Sequence, residues 1–167
     1  SAAVSGTGNA LNNTLDGTQN TAANVLAGGL GDDHYLLGAG DAVIENADEG
    51  TDWVHAAFSH TLGSNIEGLV LVGTDAADAT GNALDNHLEG NSASNVVDGG
   101  AGADTMHGMA GDDTYLVDDA GDRVFEGVDA GADQVHSSVS FTLSDHVETL
   151  VLTGTAAIDG SGSAMAN

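Results

Sequence analysis

A nine-residue period constrains this chain more than any other feature. From Gly81 the sequence divides into GNALDNHLE, GNSASNVVD, GGAGADTMH, GMAGDDTYL and VDDAGDRVF. Position six holds Asn86, Asn95, Asp104, Asp113 and Asp122, and position eight holds Leu88, Val97, Met106, Tyr115 and Val124. Six Gly-, Asn- and Asp-rich residues specify a turn, and three residues with a central apolar one specify a short strand. One unit has a single apolar side chain to bury, so units must stack to share an interior. With two units per coil, the expectation is an all-β fold, a right-handed parallel β-roll or β-solenoid of nonapeptide repeats. Beyond Asp133 the period gives way to QVHSSVSFTL and VETLVLTG, echoed earlier by WVHAAFSHTL and IEGLVLVG. Their period-two alternation predicts strands that continue the solenoid as wider spacer coils.

A longer repeat encloses the short one. TGNALNN, from Thr7, returns as TGNALDN from Thr80 at an offset of 73, and the segment from Gly50 returns from Gly131 at an offset of 81. The organisation read from these matches is a first long repeat over 1–73, a second over 74–154, and the start of a truncated third over 155–167, where SGSAMAN aligns with TGNALDN. A parent chain continuing in both directions is expected. Between Gly8 and His55 the first copy spends 48 residues where the second spends 56. Losing one half-coil would swap the two sides of the roll, and residues 17–27 have no evident register.

Charge narrows the function. Twenty-six acidic residues face one basic residue, Arg123, for a net charge of −25. Self-repulsion on this scale opposes compaction unless cations neutralise it. It also excludes nucleic acid and anionic membrane as partners, since those are bound through Lys and Arg. Aromatics at 4% with this charge would mean disorder for the cation-free chain. With no Cys there is neither a disulfide nor a thiolate metal site, and no apolar run reaches membrane-spanning length.

The turns carry the chemistry. GGAGADTMH (99–107), GMAGDDTYL (108–116) and GGLGDDHYL (28–36) combine glycines, which permit inward-pointing carbonyls, with a phased Asp that supplies a hard carboxylate oxygen. Oxygen donors of this kind suit Ca2+. The candidate ligands are Gly28, Gly31 and Asp33 in the first copy, and Gly99, Ala101, Gly102, Asp104, Gly108, Ala110, Gly111 and Asp113 in the second. Turns two units apart should share an ion, pairing Asp104 with Asp122, Asp113 with Asp133, and Asp33 with Asp52. Asp41 joins the set because it aligns with Asp122. Turns with Asn at position six (Asn13, Asn24, Asn86, Asn95) should close by amide hydrogen bonds along the stack instead.

These turns resemble the RTX family of secreted bacterial proteins, whose nonapeptide is G-G-x-G-x-D-x-U-x with U a large apolar residue. The match is full in 99–107 and 28–36 and has Met109 for the second Gly in 108–116. The resemblance implies a β-roll that is unfolded at low cytosolic calcium, exported by type I secretion and folded by extracellular calcium. Its partners would be calcium ions and neighbouring repeats of the parent, with any cell-surface or polysaccharide target unspecified and no membrane insertion. The leading function is a calcium-stiffened spacer or stalk in a large secreted or surface protein such as an adhesin. The alternative is the C-terminal secretion and folding module of an exported protease, lipase or polysaccharide-modifying enzyme.

Catalysis is not expected, since neither GxSxG nor HExxH occurs and no EF-hand loop is present. Of the seven histidines only His55 and His136 are repeat-equivalent, so solvated surface positions are the expectation for this residue type. Trp53 should point outward, and Tyr35 and Tyr115 inward. The ninth positions, read in succession, form no chemically uniform ladder.

Overall fold

A computed structural model describes residues 3–163, so of the truncated third repeat residues 164–167 lie outside the described residues. The described residues form short parallel strands with no helix, wound into a β-solenoid of about eight turns. Two sheets carry most of the coil. The seven-stranded sheet stacks Thr14–Asp16, His34–Leu37, Trp53–Ala56, Gly68–Leu71, His87–Glu89, Thr105–His107 and Arg123–Phe125. The six-stranded sheet stacks His60–Thr61, Ala79–Thr80, Val96–Asp98, Thr114–Val117, Gln134–Ser137 and Thr149–Leu152. Ser5–Thr7, Val25–Ala27 and Ala42–Val43 form a three-stranded sheet at the N-terminal end.

The coil length follows the nonapeptide where the nonapeptide is regular. Leu88 pairs with Met106 and Met106 with Val124 in one sheet, and Val97 pairs with Tyr115 in the other, each partner 18 residues on. These position-eight side chains point into one shared core, where Leu88, Val97, Met106 and Tyr115 are 0% exposed. Each outward neighbour along a strand lies on the opposite face, as the pleat requires. Both tyrosines are interior, as their phase predicts.

The spacer coils differ from the expectation of wider turns. Trp53 pairs with Gly68 and Gln134 with Thr149, each coil taking only 15 residues, and the next coil lengthens to 19 between Gly68 and His87. The tight coil is possible because its inner turn drops most of a nonapeptide loop: Asp52 O and Asp133 O each accept two successive backbone N–H groups, from Glu67 and Gly68 and from Glu148 and Thr149.

The deficit of residues in the first copy has a topological effect. Five strands run from Thr14–Asp16 to Trp53–Ala56 but six from His87–Glu89 to Gln134–Ser137. Trp53–Ala56 therefore lies in the seven-stranded sheet and its repeat-equivalent, Gln134–Ser137, in the six-stranded one. Residues 17–24 make a long turn that ends on Asn24, whose N–H donates to Asp41 Oδ1 at 2.7 Å.

Candidate metal centres in the stacked turns

Position six of each unit closes the turn and faces the coil beside it. Its side-chain oxygen accepts the backbone N–H of the position-six residue one coil earlier, giving a ladder along each edge. On one edge Asn13 N donates to Asp33 Oδ1 at 2.6 Å, Asp33 N to Asp52 Oδ1 at 2.8 Å and Asp52 N to Glu67 Oε2 at 2.8 Å. Further along that edge Asn86 N donates to Asp104 Oδ1 at 2.7 Å and Asp104 N to Asp122 Oδ1 at 3.0 Å. On the other edge Asn95 N, Asp113 N and Asp133 N donate in turn to Asp113 Oδ1, Asp133 Oδ1 and Glu148 Oε2 at 2.7 to 2.8 Å. The pairs read from spacing are thus neighbours in the stack. The terminal acceptors Glu67 and Glu148 were missed, although they are repeat-equivalent at the 81-residue offset.

What the second carboxylate oxygen does separates two kinds of turn. Asp33 Oδ2, Asp104 Oδ2, Asp113 Oδ2 and Asp133 Oδ2 are buried with no hydrogen-bond partner. Asp41 Oδ2 instead accepts Gly38 N–H at 2.9 Å, and Asp122 Oδ2 accepts the N–H groups of Asp118 and Asp119 at 3.0 and 3.1 Å. Both oxygens of Asp41 and Asp122 are therefore engaged by backbone, and these two residues cap their turns. The Asp104–Asp122 pair offers one free carboxylate oxygen, whereas Asp113 and Asp133 each offer one.

The glycines are where the carboxylates need space. A Cβ on Gly99 would sit 2.7 Å from Asp104 Cγ, and one on Gly108 would sit 2.6 Å from Glu126 Oε1 and closer still to Asp113 Oδ2. Gly28 meets Asp33 and Tyr35 in the same way. Gly31, Gly102 and Gly111 have φ of 111°, 125° and 114°, in the left-handed region that side chains disfavour. Ala101 and Ala110 donate their N–H groups to the carbonyls of Asn82 and Asn91 one coil earlier, both at 3.2 Å. Met109, at φ 80°, takes up the strained position that Gly100 fills at φ 81° in the preceding unit.

Two clusters stand out: Asp33, Glu45 and Asp52 on one edge, and Asp113, Glu126 and Asp133 on the other, each with carboxylate oxygens within 4.8 Å of one another. Burial is the main cause of raised carboxyl pKa values in them. It pushes Glu45 and Asp113 up to about 7 and Asp52 to about 6, opposed by one backbone N–H each and reinforced by neighbouring carboxylates. Asp104 is likewise pushed up to about 6, and Glu126 and Asp133 are raised. Chain cations cannot relieve this, since the one Lys or Arg is the exposed Arg123. A buried carboxylate oxygen with neither a donor nor a counter-charge calls for a proton or a bound cation. An all-oxygen donor set fits a hard cation such as Ca2+.

Residues 80–115 match the family model of the RTX calcium-binding nonapeptide repeat (4 copies). RTX nonapeptide repeats bind Ca2+. No curated protein and no solved structure matches the chain. The matched segment contains Asp104 and Asp113 together with the Asn86 and Asn95 turns. It is therefore similar to a calcium-binding module, and its turns present the buried acceptors such a module needs.

The outward face differs from the expectation of separately solvated histidines. His34 stacks on His55 at 5.3 Å between ring centroids, Trp53 lies 5.3 Å from His87, His87 stacks on His107 at 5.1 Å, and His107 on Phe125 at 4.9 Å. Burial lowers the pKa of His55 and His107. The row was invisible in successive ninth positions because successive units alternate between faces. Reading every second unit brings His55, Glu89, His107 and Phe125 onto one sheet.

Proposed function

We propose that this chain is a calcium-dependent structural spacer of a large secreted or surface protein such as an adhesin, without catalytic activity of its own. The observation that carries the reading is the ladder of position-six carboxylates with buried, partnerless oxygens. At −25 the chain resists compaction, and ions bound only by the folded form stabilise it by RT ln(1 + [Ca]/Kd), about 2.7 kcal/mol per site at 100 Kd. Calcium outside the cell would then fold a chain that stays open where calcium is scarce. RTX repeats occur in secreted bacterial proteins, in keeping with an extracellular setting. No helix among the described residues is long and apolar enough to cross a membrane.

The spacer role rests on long repeats in tandem whose ends are open to further coils. Seven strands in one sheet, at roughly 4.8 Å per step, already span about 30 Å. Small-angle scattering tests it: with calcium the chain should scatter as a short rod of constant cross-section, and with chelator as an expanded coil. Identical profiles in the two conditions would remove the basis of the proposal.

A further inference from the structure

We propose that Glu45 and Glu126 are calcium ligands, so that each long repeat carries one three-carboxylate site, Asp33–Glu45–Asp52 and Asp113–Glu126–Asp133. The proposal rests on the calcium reading above and adds residues that the nonapeptide pattern does not supply. Its starting point is register. Val25 pairs with Ala42 and Leu26 with Val43, so Glu45 stacks on Gly28, the first residue of its turn. His107 pairs with Phe125, so Glu126 stacks in the same way on Gly108. The first position of a turn is Gly where a Cβ would collide with the Asp carboxylate of that unit. At these two coils a full side chain occupies the slot and turns inward.

Each glutamate is held by the same contacts. Glu45 Oε1 accepts Gly28 N–H at 3.0 Å and the Tyr35 hydroxyl, and Glu126 Oε1 accepts the Tyr115 hydroxyl. Glu45 is 7% exposed and its Oε2 has no partner; Asp33, Asp113 and Asp133 are 0 to 1% exposed with partnerless Oδ2 atoms in the same clusters. Five such side-chain atoms are orphaned among the described residues, and four belong to these two clusters. A structural cap would satisfy its oxygens on backbone N–H groups, as Asp41 and Asp122 do. Here three negative groups converge without donors, and the absence of nitrogen or sulfur ligands favours a hard divalent ion with a high ligand count.

The cluster also survives the swap of faces. Asp33, Tyr35, Glu45 and Asp52 on one edge reappear as Asp113, Tyr115, Glu126 and Asp133 on the other, although the surrounding strands belong to different sheets. Both sites lie where nonapeptides give way to the tight 15-residue spacer coil that starts at Asp52 or Asp133. A tight ion there would join the two kinds of coil.

The full chain provides its own probe, because its two tyrosines are the ones bonded to these glutamates, and a tyrosine ring beside bound Tb3+ sensitises its emission. Tyr-excited Tb3+ emission displaced by calcium, together with calcium stoichiometry by calorimetry, is measured for wild type, Glu126→Gln, Glu45→Gln/Glu126→Gln and Tyr115→Phe. Expected are loss of about half the emission and one tight calcium equivalent in Glu126→Gln, and of both in the double variant, while weaker binding at the remaining turns persists. Tyr115→Phe should keep the wild-type calcium stoichiometry, since it removes a hydrogen bond and leaves every carboxylate. A double variant with wild-type stoichiometry and emission overturns the glutamate ligands while leaving the calcium reading intact. So does a Tyr115→Phe variant that loses the same equivalent as Glu126→Gln, which would make the contact structural. Wild type that takes up neither ion overturns both readings.

Discussion

The turns at Asn86 and Asn95 and those at Asp104 and Asp113 occupy the same phase of the same period, one coil apart, and close by different physics. Asn86 Oδ1 accepts Asn82 N–H at 2.7 Å while its Nδ2 donates to Ile66 O at 3.0 Å; Asn95 Oδ1 accepts Asn91 N–H at 2.8 Å while its Nδ2 donates to Ala77 O at 2.6 Å. The amide brings its own donor, so both turns are satisfied as they stand. Asp104 and Asp113 keep the ladder bond through Oδ1 and leave Oδ2 buried and unpaired. One side-chain atom thus separates a self-sufficient turn from a cation-demanding one. A chain that alternates the two types can tune how much of its stability depends on calcium.

Removing a demanding turn should have the largest effect. Asp113→Asn takes a charge from the buried cluster and should raise the calcium midpoint of folding tenfold or more, since calcium affinity follows ligand charge count. Circular dichroism against free calcium measures it, and an unchanged midpoint would mean that Asp113 is only a cap. The converse exchange sharpens the comparison. Asn95→Asp removes the amide donor to Ala77 O and creates a buried unpaired oxygen, which should cost about 1–3 kcal/mol in chelator. Calcium should recover part of that loss; denaturation in both conditions is the measurement.

Acid gives a smaller, graded effect with a definite sign. Folded-state carboxyl pKa values are raised, to about 7 for Asp113 and Glu45 and about 6 for Asp104 and Asp52. A raised group stabilises the ion-free fold when protonated and withdraws that stability as pH rises through the folded value. In chelator, β signal should therefore increase as pH falls from about 7.5 to 5, while calcium affinity falls over the same window because protons compete for the carboxylates. The smallest effect belongs to Asp98→Asn. Asp98 is a half-buried ninth-position residue whose Oδ1 accepts Gly100 N–H, a bond that an amide oxygen reproduces, so its calcium midpoint should stay within about 0.5 kcal/mol of wild type.

The stacking of Asp33 under Asp52, Asp104 under Asp122 and Asp113 under Asp133 was legible because one phased residue per unit fixes the register. The inward set from Leu88 to Val124 followed from the same phase. Glu45 and Glu126 were not legible as site residues, because they stand where the motif has Gly and only three-dimensional stacking shows that their side chains turn in. Their recurrence at the 81-residue offset was a usable signal. The different roles of Asp122 and Asp113 were hidden for another reason. Asp122 spends its second oxygen on the N–H groups of Asp118 and Asp119, a local turn geometry that spacing does not encode. The histidine row escaped because neighbours on a roll face are two units apart in sequence.

The central claim is that these stacked carboxylates require calcium to fold at neutral pH, and far-ultraviolet circular dichroism of the chain during a calcium titration tests it most directly. The account predicts a largely disordered spectrum in excess chelator, a cooperative rise of β signal with calcium, and little response to magnesium, which holds to octahedral, water-retaining coordination. A full β spectrum in chelator at neutral pH, unchanged by calcium, would contradict it.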